Sequence, residues 1–287
     1  MNETLTVDGD RTTLRMERTL RHPQAKVWRA ITEPEHVNQW FPFHVELDLV
    51  PGTTIRFVEP TGAAPAMEGT VTEVDPPRLL AFTWGDDALR FELRPHEDGC
   101  LLVFAHTFGY HAGAASFAAG WTACLGALDL VLRGERVESL VPDDMAEVHE
   151  RFVHEFGLDD GRDETTPDGW RVVFDRQLTQ PADVVWSQLA DGEPRVGDAP
   201  ASPFTNGSLT PGRITAVEPA ALLEYDWHAG NGPAGQVRWE LRDGTGQGAR
   251  LVLTQTGPAG LDDARAAALD AWHDRVERLA AELAGMA

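Results

Sequence analysis

Between Ala114 and Leu132 the bulky apolar residues fall at Phe117, Trp121, Cys124, Leu125, Leu128 and Leu132. That i, i+4, i+7, i+8 spacing predicts a helix with one wide apolar face, which must be covered. Near the C-terminus Ala264–Ala284 repeats the device, with Ala268, Trp272, Val276, Leu279 and Leu283 in a stripe and Asp270, Asp274, Glu277, Arg278 and Glu282 mostly turned away. The first helix follows a series of strand-like runs, so the natural cover is a sheet with the helix lying across its concave side.

Thr12–Arg21 alternates, with Leu14, Met16 and Leu20 broadly on one face, and reads as a strand. His22 and Pro23 open a short helix with Val27, Trp28 and Ile31 on its apolar side, and Pro34 begins a second that ends at Trp40 and Phe41. Strands are expected at His44–Leu49, Thr53–Glu59, Glu68–Val74, Leu79–Trp84, Ala88–Arg94 and Leu101–Phe108, separated by turn residues such as Pro51-Gly52, Gly85-Asp86-Asp87 and Asp98-Gly99. The order is that of an α+β domain in which a curved antiparallel sheet grips a C-terminal helix.

After Arg133 the pattern breaks. Met145, Val148, Phe152 and Phe156 place an amphipathic helix over Pro142–Phe156, free to pack on either domain or on a second chain. Gly157–Gly169 is charged and turn-rich and is expected to be a flexible linker. From Trp170 the first grammar returns: Arg176 falls on Arg18, Leu178 on Leu20, Pro181 on Pro23, Val185 on Val27 and Trp186 on Trp28. Farther on, Tyr225 falls on Phe82, Trp227 on Trp84, Gln255 on His106 and Trp272 on Trp121. Agreement in order over so many segments identifies an internal repeat. Between Asp191 and Gly212 the second copy is shorter than its counterpart Glu33–Gly69, so it is expected to lack the second short helix and to have one or both following strands shortened or irregular. The expected boundaries are 1–136 for the first domain, 137–168 for the connector and 169–287 for a degenerate second domain.

Composition adds limits. At 287 residues, 42% hydrophobic and 24% charged, the chain can build two ordinary globular cores. A net charge of -22 argues against nucleic acid, because phosphate binding needs clustered Lys and Arg. Cys100 and Cys124 are expected on a strand and a helix as reduced core thiols. No secretory signal and no apolar run of membrane-spanning length is expected, so the expectation is a cytoplasmic protein without membrane insertion. Arg-rich, Lys-poor composition suggests a bacterial source with a GC-rich genome.

The segments PQAKVWRAITEPEHVNQWF, GTVTEVDPPRLLAFTW, LLVFAHTF and GWTACLGALDLVL resemble the START-like superfamily, also called SRPBCC, and within it the bacterial branch of heat shock protein 90 ATPase activator homologues. The resemblance covers nearly all of the first domain and is looser across the second. It implies two tandem helix-grip (START/Bet v-like) domains, α+β in class, with a deep, mostly apolar cavity between sheet and helix. In the wider superfamily such cavities bind hydrophobic molecules, and some members are cyclases or other enzymes.

The lining expected for such a pocket is Trp40, Phe41, Phe82, Trp84, Phe91, Phe104, His106, Phe108, Trp121 and Cys124. This set is apolar with few polar groups, the character of a small-ligand site, although the same aromatics could simply fill a core. His106 is the candidate catalytic residue, either orienting a ligand or acting as a general base with a water or with Glu92; the alternative is a histidine bonded to backbone. Tyr110 and His111 precede the long helix, where they would sit at a cavity mouth. His149-Glu150 and His154 echo a zinc-protease motif, but the i, i+5 histidine spacing makes the rings diverge. Gly244, Gly246 and Gly248 join two strands and read as a hairpin rather than a phosphate loop. No metal site and no cofactor is expected.

Two classes of function follow. The first is binding, sequestration or transport of a small hydrophobic molecule in the first domain, the second domain being a degenerate partner. The other is a cyclase, dehydratase or hydrolase using His106. A weaker third is a protein-interaction or chaperone-related module engaging Pro142–Phe156. The expected state is a monomer, as an intramolecular pseudo-dimer, or a homodimer.

Overall fold

The computed structural model describes residues 2–62, 65–230, 232–246 and 248–286. They form two compact units, Met1–Met145 and Ala146–Ala287. Each is an antiparallel sheet with a long C-terminal helix, so the chain is a tandem of α+β helix-grip domains.

In the first unit the strands are β1 (Asn2–Asp8), β2 (Arg11–Leu20), β3 (His44–Glu46), β4 (Thr54–Val58), β5 (Met67–Asp75), β6 (Leu79–Trp84), β7 (Asp87–His96) and β8 (Gly99–Phe108). They lie in the order β1-β2-β8-β7-β6-β5-β4-β3. The short helices α1 (Gln24–Thr32) and α2 (Pro34–Val37) interrupt the sheet between β2 and β3, and α3 (Ala114–Arg133) closes the unit. Register brings Leu14 of β2 and Leu89 of β7 to either side of His106, so their common face is buried toward α3. Gly69 is required in β5, because a Cβ there would stand 1.8 Å from the carbonyl oxygen of Thr83.

Helix α3 ends at Gly134 in the left-handed conformation, φ 75°, where glycine carries no Cβ penalty. Its buried side comprises Ala118, Trp121, Cys124, Leu125, Leu128 and Leu132, among others. By length and mean hydropathy (1.5) His111–Arg133 would suffice to cross a bilayer, which corrects the expectation that no run reaches that length. Alanines between the bulky residues raise the average of this helix, half of which is buried in the unit.

The second unit repeats the order. α4 (Met145–Phe156) precedes β9 (Arg162–Thr166), β10 (Gly169–Gln177), α5 (Ala182–Leu189), β11 (Thr210–Glu218), β12 (Leu222–Ala229), β13 (Gly232–Asp243), β14 (Ala249–Pro258) and α6 (Asp262–Ala284). Its sheet runs β11-β12-β13-β14-β10-β9, the first unit's order without β3 and β4.

The expected linker Gly157–Gly169 is not unstructured: Arg162–Thr166 forms β9 and pairs with β10 across the Thr166–Gly169 turn. Backbone pairing at a sheet edge needs no apolar side chains, so polar composition misled the reading. β1 pairs with β2 in the same way and was likewise missing from the expected strands. α4 clusters with the second unit. Its Glu150 and Glu277 of α6 both ion-pair with Arg176 of β10, which is 1% exposed.

Among the described residues neither α2 nor β3 nor β4 has a counterpart between α5 and β11, so both strands are absent rather than shortened. A single 3-10 turn, Ser202–Phe204, fills the gap. Phe204 is fully buried, and its carbonyl oxygen accepts from Tyr225 Oη at 2.8 Å and from Trp239 Nε1 at 3.1 Å.

Candidate functional site

The alternation of β6, β7 and β8 aims Phe82, Trp84, Phe91, Phe104, His106 and Phe108 at the helix-facing side of the first unit. α3 lowers Trp121 onto them, with its ring centroid 4.4 Å from Phe104 and 6.2 Å from Trp84. Phe41, delivered by the turn after α2, packs 5.7 Å from both Trp84 and Trp121. Trp40 lies against Phe91 at 6.1 Å and is anchored by Nε1 donating to the Ala30 carbonyl at 2.8 Å. Phe108 touches His106 at 5.0 Å. Nine of the ten residues expected to line a pocket therefore meet in one aromatic cluster. Cys124, three residues along α3, is buried, and desolvation pushes its thiol up to about 12.

Three ring members were not anticipated as lining. Phe43 and Phe57 pack on Trp84 at 5.4 and 5.9 Å, and Phe117 packs on His106 at 4.6 Å. Phe57 was detectable from the alternation of β4, which buries Ile55 and Phe57.

The rings nearly fill the space between them. The void bounded by Ile31, Val37, Trp40, Phe41, Val45, Leu47, Leu80, Phe82 and Phe91 is about 10 Å³. That is about the room one water molecule needs. That end of the expected hollow is thus closed, because the α2–β3 segment presses Trp40 and Phe41 onto the sheet.

His106 is fully buried and has both ring nitrogens engaged. Trp121 Nε1 donates to His106 Nδ1 at 3.1 Å, and His106 Nε2 lies 3.0 Å from Asp87 Oδ2. An indole can only donate, so Nδ1 must accept and the imidazole proton resides on Nε2, pointing at the carboxylate. No lone pair is left to take a proton from a substrate, which weighs against His106 as a general base. Glu92 is not its partner: it bonds Arg94 at 2.9 Å, and that bond holds its carboxyl below the usual range. Asp87 sits opposite Trp84 in the β6–β7 hairpin, where its residue type had suggested only a turn. Its other oxygen faces Arg11 at 4.0 Å, so a polar chain runs from Trp121 to the rim.

One polar atom in the cluster is unsatisfied: the indole Nε1 of Trp84 is buried and has no hydrogen-bond partner. Tyr110 and His111 precede α3, and His111 Nδ1 is 3.0 Å from Thr12 Oγ1, which ties that turn to β2.

Folding also assembles two clusters of carboxylate and imidazole groups, one of them drawing on the Glu150 and His154 of the discounted zinc-protease-like string. Ligand atoms of Glu150, His154 and Glu277 lie within 4.8 Å of one another, as do those of Glu33, Glu35 and His36. The first trio combines an i, i+4 pair on α4 with a residue from α6. Arg176 already neutralises its two carboxylates, with Nε 3.0 Å from Glu277 Oε1 and Nη2 on Glu150. His149 points elsewhere on α4; it is buried, and desolvation followed by the nearby Arg176 charge lowers its pKa to about 4.

Comparison with solved structures finds similar folds at low identity. A conserved protein of unknown function from Enterococcus faecalis is 21% identical, covers 53% of this chain and 89% of its own, and has a TM-score of 0.45. The AHSA1-like protein from Aeromonas hydrophila is 20% identical, with 42% of this chain and 92% of its own covered and a TM-score of 0.38. No curated protein matches the chain. A family model matches twice, over residues 21–133 and again over 176–284, one match in each helix-grip unit. The chain therefore belongs to the family described as activator of Hsp90 ATPase homolog 1-like protein.

Proposed function

We propose that the protein is a non-catalytic binding module whose first unit takes a small apolar molecule carrying a hydrogen-bond acceptor. The family and its START-like fold support, in general terms, a ligand-binding or Hsp90 ATPase-activator-like module. The observation that carries the finer reading is Trp84 Nε1, a buried donor left unpaired inside an otherwise aromatic box. An unsatisfied buried donor costs about 1–3 kcal/mol, which a ligand carbonyl placed on it would offset. The void under Trp40 and Phe41 is only about 10 Å³, so a guest enters by displacing the α2–β3 segment from the sheet. The aromatic walls then supply apolar contact and Trp84 fixes the orientation.

The enzyme reading is the weaker one, because both nitrogens of His106 are committed. The test is native mass spectrometry and tryptophan fluorescence of the full chain with 2-acetonaphthone and its carbonyl-free analogue 2-ethylnaphthalene. The ketone should bind in a one-to-one ratio and more tightly than the hydrocarbon, and Trp84→Phe should remove that difference. Absence of binding by both, or equal binding unaffected by Trp84→Phe, would sink the proposal.

A further inference from the structure

The second unit carries a cleft of about 470 Å³ between the end of α5, the Ser202–Gly207 loop and the outer side of α6. That is the size of a small-molecule site. Its character is the reverse of the aromatic box. Along α6 it is lined by Ala271, Asp274, Arg275, Arg278 and Glu282, and the loop and α5 add Asn206 and Gln188.

The helices of the two units can be compared by counting from Trp121 and Trp272. Where α3 has Ala123, Cys124, Ala127 and Val131, α6 has Asp274, Arg275, Arg278 and Glu282. The second copy therefore carries four charges at positions that are apolar in the first, and all four line this cleft.

These charges interact through space but are not paired in contact with one another. Asp274, Arg278 and Glu282 stand at i, i+4 intervals, the spacing at which helical ion pairs form, yet none is in a salt bridge among the described residues. Arg275 is half-buried and spends only Nε, which donates to the Pro203 carbonyl at 2.8 Å. Among the described residues no carboxylate reaches salt-bridge distance of its guanidinium: Glu282 acts on it only through space, and burial and the neighbouring Arg278 both disfavour its charge. Asn206 commits Oδ1 to Ser208 N and Oγ at 3.0 and 2.9 Å, leaving Nδ2 buried without a partner beside the same cleft. Partly desolvated guanidinium and amide donors converging on one space favour an anionic group that can accept from several of them.

We propose that this cleft binds a small polar organic acid, its carboxylate or phosphate held by Arg275 and Arg278 and its hydroxyl or ammonium groups by Asp274 and Glu282. The mixed charges select against a bare anion, because Asp274 and Glu282 repel one that brings no donors of its own.

The test is calorimetric titration of the full chain with gluconate, glutamate and glucose 6-phosphate, with inorganic phosphate and neutral glucose as controls. At least one organic acid should bind at one site per chain, more tightly than inorganic phosphate or glucose. Arg278→Gln, at an exposed position, should weaken it by about tenfold or more while leaving the ligand-free unfolding midpoint unchanged. Trp84→Phe in the first unit should have no effect on this binding. Failure of all three acids to bind at about 10 mM, a level that detects even millimolar affinity, would overturn the proposal. So would equal binding by inorganic phosphate, or affinity unchanged in Arg278→Gln.

Discussion

The indole of Trp121 gives its Nε1 proton to His106 Nδ1 at 3.1 Å, and this bond fastens the long helix of the first unit to the middle of its sheet. The second unit keeps the bond with a different acceptor: Trp272 Nε1 donates to Gln255 Oε1 at 2.5 Å. Both acceptors are buried, and both occupy the same register, opposite Leu14 and Leu89 in one sheet and Val172 and Val237 in the other. The conserved element of the repeat is thus an acceptor for a tryptophan.

His106→Gln should accordingly be tolerated, changing stability by about 1 kcal/mol or less, since it installs the second unit's own solution. His106→Leu strands the Trp121 donor and should cost about 1–3 kcal/mol. Urea denaturation of the two variants distinguishes these outcomes, and equal losses would show that the imidazole matters for more than accepting this bond.

Arg176 is almost fully buried between two carboxylates. Arg176→Met leaves Glu150 and Glu277 facing each other without their counter-ion, and removal of one partner from a buried pair costs about 3–5 kcal/mol. The second unit should unfold first in this variant, seen as an early transition in thermal scans. Adding Glu150→Gln should recover part of the loss.

His149 is held neutral by burial, with a pKa of about 4 against an ordinary value of 6.5. A histidine whose folded pKa is depressed favours the folded state fully above the unfolded value. As pH falls from 6.5 toward 4 the unfolded chain takes up a proton that the folded chain refuses, and stability declines by up to about 3 kcal/mol. His149→Phe removes this dependence, so the stability of the variant relative to the parent should rise by up to about 3 kcal/mol as pH falls across that window and level off below it. A constant difference from pH 7 to pH 4 would contradict the assignment.

Both cysteines are free and buried, and burial raises both thiols. At pH 8 the native protein should be inert to Ellman's reagent, whereas two thiols should react in guanidinium chloride.

The two long helices and most central strands were legible because each carries a strong apolar period, such as Phe117 to Leu132 on α3 and Leu102, Phe104 and Phe108 on β8. β1 and β9 were not, because an edge strand is held by backbone bonds that leave little trace in side-chain type. For the site, alternation named which rings face inward but not how closely they approach, so a hollow was expected where the rings touch. The partner of His106 could have been found from the pleat alone. Phe91 faces the helix, so Glu92 must face away, and the carboxylate had to come from a hairpin end. The position of Glu277 beside α4 depends on packing between elements distant in sequence, which periodicity does not encode.

Phe204 seals the second interior with one ring and one doubly bonded carbonyl, while the first is roofed by a helix and two strands of its own chain. A roof built as a detour in the polypeptide can lift as a flap with its hinges intact, whereas a stopper wedged under Tyr225 and Trp239 comes out only when the surrounding walls give way.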